Sequence, residues 1–123
     1  MGRFSFSKAE RLSKEKSIKE LFEQGSSFYV HPVKVIYRLQ PAGSTHHQIL
    51  ISVPVRNFKR AVDRNLIKRR IREAYRTQKE LIANPGRHWS LAFVYTAREI
   101  LPFAVIRNKL FLVLEKIKNL EFH

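Results

Sequence analysis

The chain has 123 residues, 44% of them hydrophobic, a length suited to one domain (1–123) built around one core. Its 24 Lys and Arg against 10 acids leave a formal charge of +14. Self-repulsion of that size points to a polyanionic partner, nucleic acid first and an anionic membrane surface as the rival. The absence of Cys excludes disulfides, thiolate metal sites and a Cys nucleophile. No apolar run approaches the ~20 residues that cross a bilayer. Residues 1–6 lack the apolar core of a secretory signal, so the expected compartment is the cytoplasm.

A first helix is predicted after Arg11-Leu12, with Ser13 as N-cap, Gly25 just past its end, and Ile18, Leu21 and Phe22 on one face. After Ser27-Phe28-Tyr29-Val30 and His31-Pro32 comes an alternating strand. Val33, Val35, Tyr37 and Leu39 point one way; Lys34, Ile36 and Arg38 point the other. Pro41 to Ser44 reads as a turn and Gln48 to Val55 as a second strand, the two strands expected to pair as a hairpin. A basic segment from Arg56 leads into a helix over about Ala61–Ile82, stopped by Asn84-Pro85-Gly86. Trp89 to Thr96 is a strand, and Pro102 opens a last helix whose core face is Val105 or Ile106, Leu110, Val113, Leu114 and Ile117. The class is α+β, a small mixed sheet packed by helices in the order α-β-β-(β)-α-β-α. A βαβ-like crossover carries the chain through the long helix.

Charge is concentrated in that crossover. Between Arg56 and Arg76 stand nine cations (Arg56, Lys59, Arg60, Arg64, Lys68, Arg69, Arg70, Arg72 and Arg76) against Asp63 and Glu73, a net +7 in 21 residues. On a helical wheel Ile67, Ile71, Ala74, Gln78 and Leu81 form a core face flanked by Tyr75 and Ile82. Asn65, Lys68, Arg69, Arg72, Arg76 and Lys79 form a second stripe, roughly 120° away at 100° per residue. The i+4 neighbours along Lys68, Arg72 and Arg76 are further cations and not acids, so i,i+4 ion pairs do not relieve the repulsion of the stripe. Cations one turn apart suit a ladder of phosphates, and the excess of Arg suits bidentate contacts.

The segment Ala61 to Tyr75 resembles the signature of the bacterial ribonuclease P protein: Arg-Asn-Arg, Ile-Lys-Arg, an apolar pair and an Arg, here matched at Arg64, Asn65, Ile67, Lys68, Arg69 and Arg72. The rest of the chain agrees, with Arg11-Leu12 before a helix ending Phe22-Glu23-Gln24-Gly25, and Ile51-Ser52-Val53 running into the basic loop. Two positions depart from the family: Leu66 replaces the usual second Arg of the motif, and Ile18 replaces a frequent aromatic. The resemblance implies a left-handed βαβ crossover, an exception to the usual handedness. It also implies a protein subunit that binds the catalytic ribonuclease P RNA and the 5′ leader of precursor tRNA, with hydrolysis and its Mg²⁺ belonging to the RNA. Arg56, Lys59, Arg60, Arg64, Asn65, Lys68, Arg69, Arg72 and Arg76 are the expected RNA-binding residues. Phe22 and Tyr37 are the candidates for a leader-binding cleft, although packing in the core explains each equally well.

No catalytic or metal-binding constellation is expected on the protein itself. His31, His46, His47, His88 and His123 are scattered, with His46-His47 read as a solvated turn. Asp63, Glu73, Glu99 and Glu115 lack carboxylate partners, and no Gly-rich phosphate loop is present. No obligate protein partner is evident. Two other functions remain open: a structural RNA-binding protein using the same helix, and a membrane-surface protein using a basic amphipathic helix. The second is disfavoured because the sheet needs the apolar face of that helix.

Overall fold

The structure, a computed structural model, describes residues 7–120. The segment 1–6 and His123 lie outside the described residues. Three helices, α1 (Glu15–Gln24), α2 (Ala61–Gln78) and α3 (Phe103–Leu120), accompany four strands, β1 (Ser26–Val30), β2 (Val33–Leu39), β3 (Gln48–Ser52) and β4 (Trp89–Tyr95). A 3-10 turn at Lys8–Glu10 precedes α1, and another at Lys79–Ile82 extends α2.

The sheet order is β1-β2-β4-β3, with β1–β2 and β2–β4 antiparallel and β3–β4 parallel. The expected hairpin between β2 and β3 does not form; β4 lies between them. Seven-residue β4 is buried at Trp89, Leu91, Ala92, Phe93 and Tyr95, and a strand apolar on both faces belongs at a sheet's centre. The hairpin that does form joins β1 to β2 across His31-Pro32, whose peptide is cis. A second departure is at α1, where the N-cap is Lys14, not Ser13, and the helix begins at Glu15.

The two faces of the sheet are covered unequally. On one, Val33 and Val35, Ile49, and Trp89, Leu91, Phe93 and Tyr95 meet Ile67, Ile71, Ala74 and Tyr75 of α2 and Ile106, Leu110, Val113, Leu114 and Ile117 of α3. Ile106, not Val105, takes the inward place on α3. Buried Gln78 is satisfied within this layer, its Nε2 donating to the carbonyls of Ala74 (3.0 Å) and Arg107 (3.1 Å). On the opposite face, among the described residues, only Leu12, Leu21, Ile36 and Ala92 form a buried cluster, with Ile18 and Leu50 packed against it under α1.

Gly25 sets how closely α1 seats on β2. A Cβ there would lie 2.4 Å from the Leu21 carbonyl oxygen and 3.0 Å from Ile36 Cγ2. The role is close approach, since its φ of −76° is open to any residue. The free edge of β3 is partly met by the N-terminal segment, where Arg11 bridges Ile49 and the Leu12 N–H donates to the Ile49 carbonyl at 2.9 Å. His47 is half-buried and not a solvated turn residue. Its Nδ1 accepts the Trp89 N–H at 2.9 Å and its Nε2 reaches the Ile82 carbonyl at 2.8 Å, which fastens the β2–β3 connection.

Candidate nucleic-acid interface

The helix α2 divides as its spacing predicts: Ile67, Ile71, Ala74, Tyr75 and Gln78 are buried, and Asn65, Arg69 and Arg72 are exposed, with Lys68 half-exposed. The side chains of Lys68, Arg69 and Arg72 make no hydrogen bond or ion pair with any described residue. Their charge is held on a helix and meets no acid among the described residues, a condition under which phosphates displace counterions favourably. Lys68 and Arg72 face a shallow groove whose other wall is Arg11-Leu12-Ser13 and the edge of β3.

Three other cations of the segment, and Lys79 just beyond it, are engaged within the protein. Arg64 Nη1 donates to the carbonyls of Phe58 (2.7 Å) and Lys59 (2.9 Å), closing the loop onto the first turn of α2. Arg70 Nη1 donates to the Leu101 carbonyl at 2.6 Å, tying α2 to the loop before α3. Arg76 pairs with Glu73, Nε to Oε2 at 3.0 Å. That hydrogen bond, above all, holds the Glu73 carboxyl below its ordinary range. Lys79, expected on the stripe, is mostly buried, with Nζ 3.0 Å from both oxygens of Glu10. Leu66, half-exposed, belongs to neither face.

Arg56, Lys59 and Arg60 are exposed on the loop between β3 and α2. Arg56 also walls a second groove on the α1 side of the sheet, opposite Phe22. Phe22 is 47% exposed, a large share for a side chain on a helix packed against a sheet. Lys34, Ile36 and Val94 of the sheet line it too, with Thr96 and Asn57. The loop from Pro54 to Arg60 therefore joins this groove to α2.

Tyr37 does not line the groove. It lies on the α2/α3 face, half-buried between Phe28 (ring centroids 5.7 Å apart) and Trp89 (5.8 Å). Strand alternation decides this, because Tyr37 shares a face with Val33 and Val35 and that face is the core. The residue that sequence reasoning missed is Lys34, exposed and pointing with Ile36 into the groove. The signal was available, since the same alternation set Lys34 opposite Val33; what was missing was which face stays open.

Among the described residues no group of three or more His, Asp or Glu is placed to hold a metal ion, and no helix is long and apolar enough to cross a membrane. Every buried side-chain polar atom among them has a partner. The α2 stripe and the Phe22 groove expose cationic and aromatic side chains, suited to binding an extended polyanion that carries planar rings.

Comparison with known proteins agrees. The family model described as Ribonuclease P matches residues 6–118. A ribonuclease P protein component of Porphyromonas gingivalis is 36% identical over 113 residues, covering 85% of this chain and 80% of that one. One from Picosynechococcus is 42% identical over 92 residues, covering 75% and 77%. Among solved structures, the Staphylococcus aureus RNase P protein superposes with a TM-score of 0.72 at 27% identity, covering 90% of this chain and 97% of that one. The Thermotoga maritima protein gives 0.73 at 25%, covering 87% and 96%. On sequence and fold together, the chain belongs to the ribonuclease P protein family.

Proposed function

We propose that this chain is the protein subunit of ribonuclease P, binding the catalytic RNA through α2 and the preceding loop, and the single-stranded 5′ leader of precursor tRNA in the groove beside α1. One observation carries the reading. Two cationic surfaces, the Lys68–Arg69–Arg72 stripe, which meets no acid among the described residues, and the Phe22–Lys34–Arg56 groove, are joined by one basic loop. A single chain can then hold one RNA and a segment of another side by side.

The division of labour follows from residue chemistry. Lys68, Arg69 and Arg72, with Asn65, Arg56, Lys59 and Arg60, meet backbone phosphates, which fix position without reading sequence. Arg64 and Arg76 join them only with the guanidinium nitrogens their internal bonds leave over. In the groove, Phe22 offers a face on which any base stacks, and Lys34 and Arg56 hold the phosphates on either side. Hydrolysis is assigned to the RNA, which holds the Mg²⁺ that supplies it, and the protein's residues bind and orient. Membranes have no part in this reading.

The test is reconstitution with a bacterial ribonuclease P RNA at low Mg²⁺. Added protein is expected to raise cleavage of precursor tRNA, and no stimulation would overturn the reading. Affinity for the RNA should fall with salt at a log–log slope on the order of −5, as for about six phosphate contacts.

A further inference from the structure

The register of the sheet carries the groove further than its walls suggest. Tyr29 pairs with Lys34, Lys34 with Val94, and Val94 with Ser52. Directly paired residues share a face, so these four form one row across the sheet on the α1 side. The next row, Ser27, Ile36, Ala92 and Leu50, includes the cluster that α1 covers. The Tyr29 row is therefore the first that α1 leaves open. It crosses three strand spacings, about 14 Å, longer than a single nucleotide.

Tyr29 stands at the far end of this row, on the edge strand, 54% exposed. An exposed aromatic on an edge strand is ordinarily a loose side chain. This one is held. Its hydroxyl lies 2.7 Å from His31 Nδ1 and 3.1 Å from Thr96 Oγ1. The proton inventory orders the contacts: Thr96 Oγ1 donates its only proton to the Pro32 carbonyl at 3.0 Å, so it accepts from Tyr29. Tyr29 then has no proton left for His31, and His31 Nδ1–H donates to the phenol oxygen. Thr96 itself lines the groove, so the anchor fixes the Tyr29 ring relative to the groove.

We infer that Tyr29 is a second base-stacking platform, which takes a nucleotide of the bound single strand beyond the one at Phe22, with Lys34 holding the phosphate between them. This rests on the groove being the leader site. The occupant is a single-stranded nucleic acid because the row joins an anchored ring to Lys34 and, through the groove, to Arg56, with no carboxylate among its residues.

The experiment measures affinity of the reconstituted holoenzyme for precursor tRNAs carrying leaders of graded length. For the unaltered protein, affinity should rise with leader length in steps. Tyr29→Ala should remove the outermost step, a loss of roughly tenfold, the size of one base–aromatic stack. Substrates too short to reach it should bind unchanged. Tyr29→Phe, which keeps the ring and the fold, should retain most of that step. If Tyr29→Ala keeps every step while Phe22→Ala and Lys34→Ala lose theirs, the platform is wrong and the groove reading stands. If the unaltered protein shows no dependence on leader length, both fall.

Discussion

The two faces of one four-stranded sheet do opposite work. The face under α2 and α3 is closed by two 18-residue helices and is dry from Val33 to Trp89. Among the described residues the other carries a single ten-residue helix and a cluster of four buried residues, and past the end of that helix they leave the sheet open. Stability is concentrated on one side, which leaves the other free to present polar and aromatic groups that contribute little to folding. The basic helix belongs to both arrangements: its apolar edge closes the dry face, and its cationic edge adjoins β3.

Substitutions on the two faces should therefore separate folding from binding. Phe93→Ala removes a fully buried ring from the dry face and should cost about 3–5 kcal/mol in a denaturant melt. Leu50→Ala, on the opposite face, should cost less than half as much; equal losses would erase the contrast. Next in size, the triple replacement of Lys68, Arg69 and Arg72 by Ala should leave the melt unchanged. It should weaken RNA binding on the order of a hundredfold and reduce the salt slope by about 2 to 3. Gly25→Ala forces α1 away from β2 and should destabilise by about 1–3 kcal/mol. Leader binding should suffer with it, while affinity for the RNA subunit holds. The smallest effect distinguishes neighbours in sequence. Arg70→Ala should lose about 1 kcal/mol of stability, with the salt slope intact, whereas Arg69→Ala should lower the slope by about 1 with no change in the melt.

That last pair marks where sequence reading stops. Helix periodicity separates Ile67, Ile71 and Ala74 from Lys68, Arg69 and Arg72 because both patterns are local. The partners of Arg70 and Lys79 are not local: Leu101 and Glu10 lie far away in the chain, and nothing in the helix announces them. Strand existence was similarly legible and strand neighbours were not. Proximity in sequence favoured pairing β2 with β3, although the eight-residue connection from Gln40 to His47 is longer than tight hairpins use. The apolar run in β4 outweighs that proximity, since a strand buried on both faces must be flanked on both edges. Tyr37 fell to the same problem. Its alternation phase was clear, and which side of the sheet the long helices would cover was not.

The parallel β3–β4 pair, with α2 looping between its strands, also has a consequence for biosynthesis. Residues 48–52, and the edge of 33–39 that β1 does not pair, find their partner in residues 89–95, made only after the basic helix is complete. On the ribosome, the basic helix thus emerges with its Ile67 and Ile71 face uncovered, and the strand that shelters it follows. Such late, non-local closure makes for slow folding and a vulnerable nascent chain. Early engagement of the cationic edge by RNA would add binding energy to the helical state before the sheet exists to hold it.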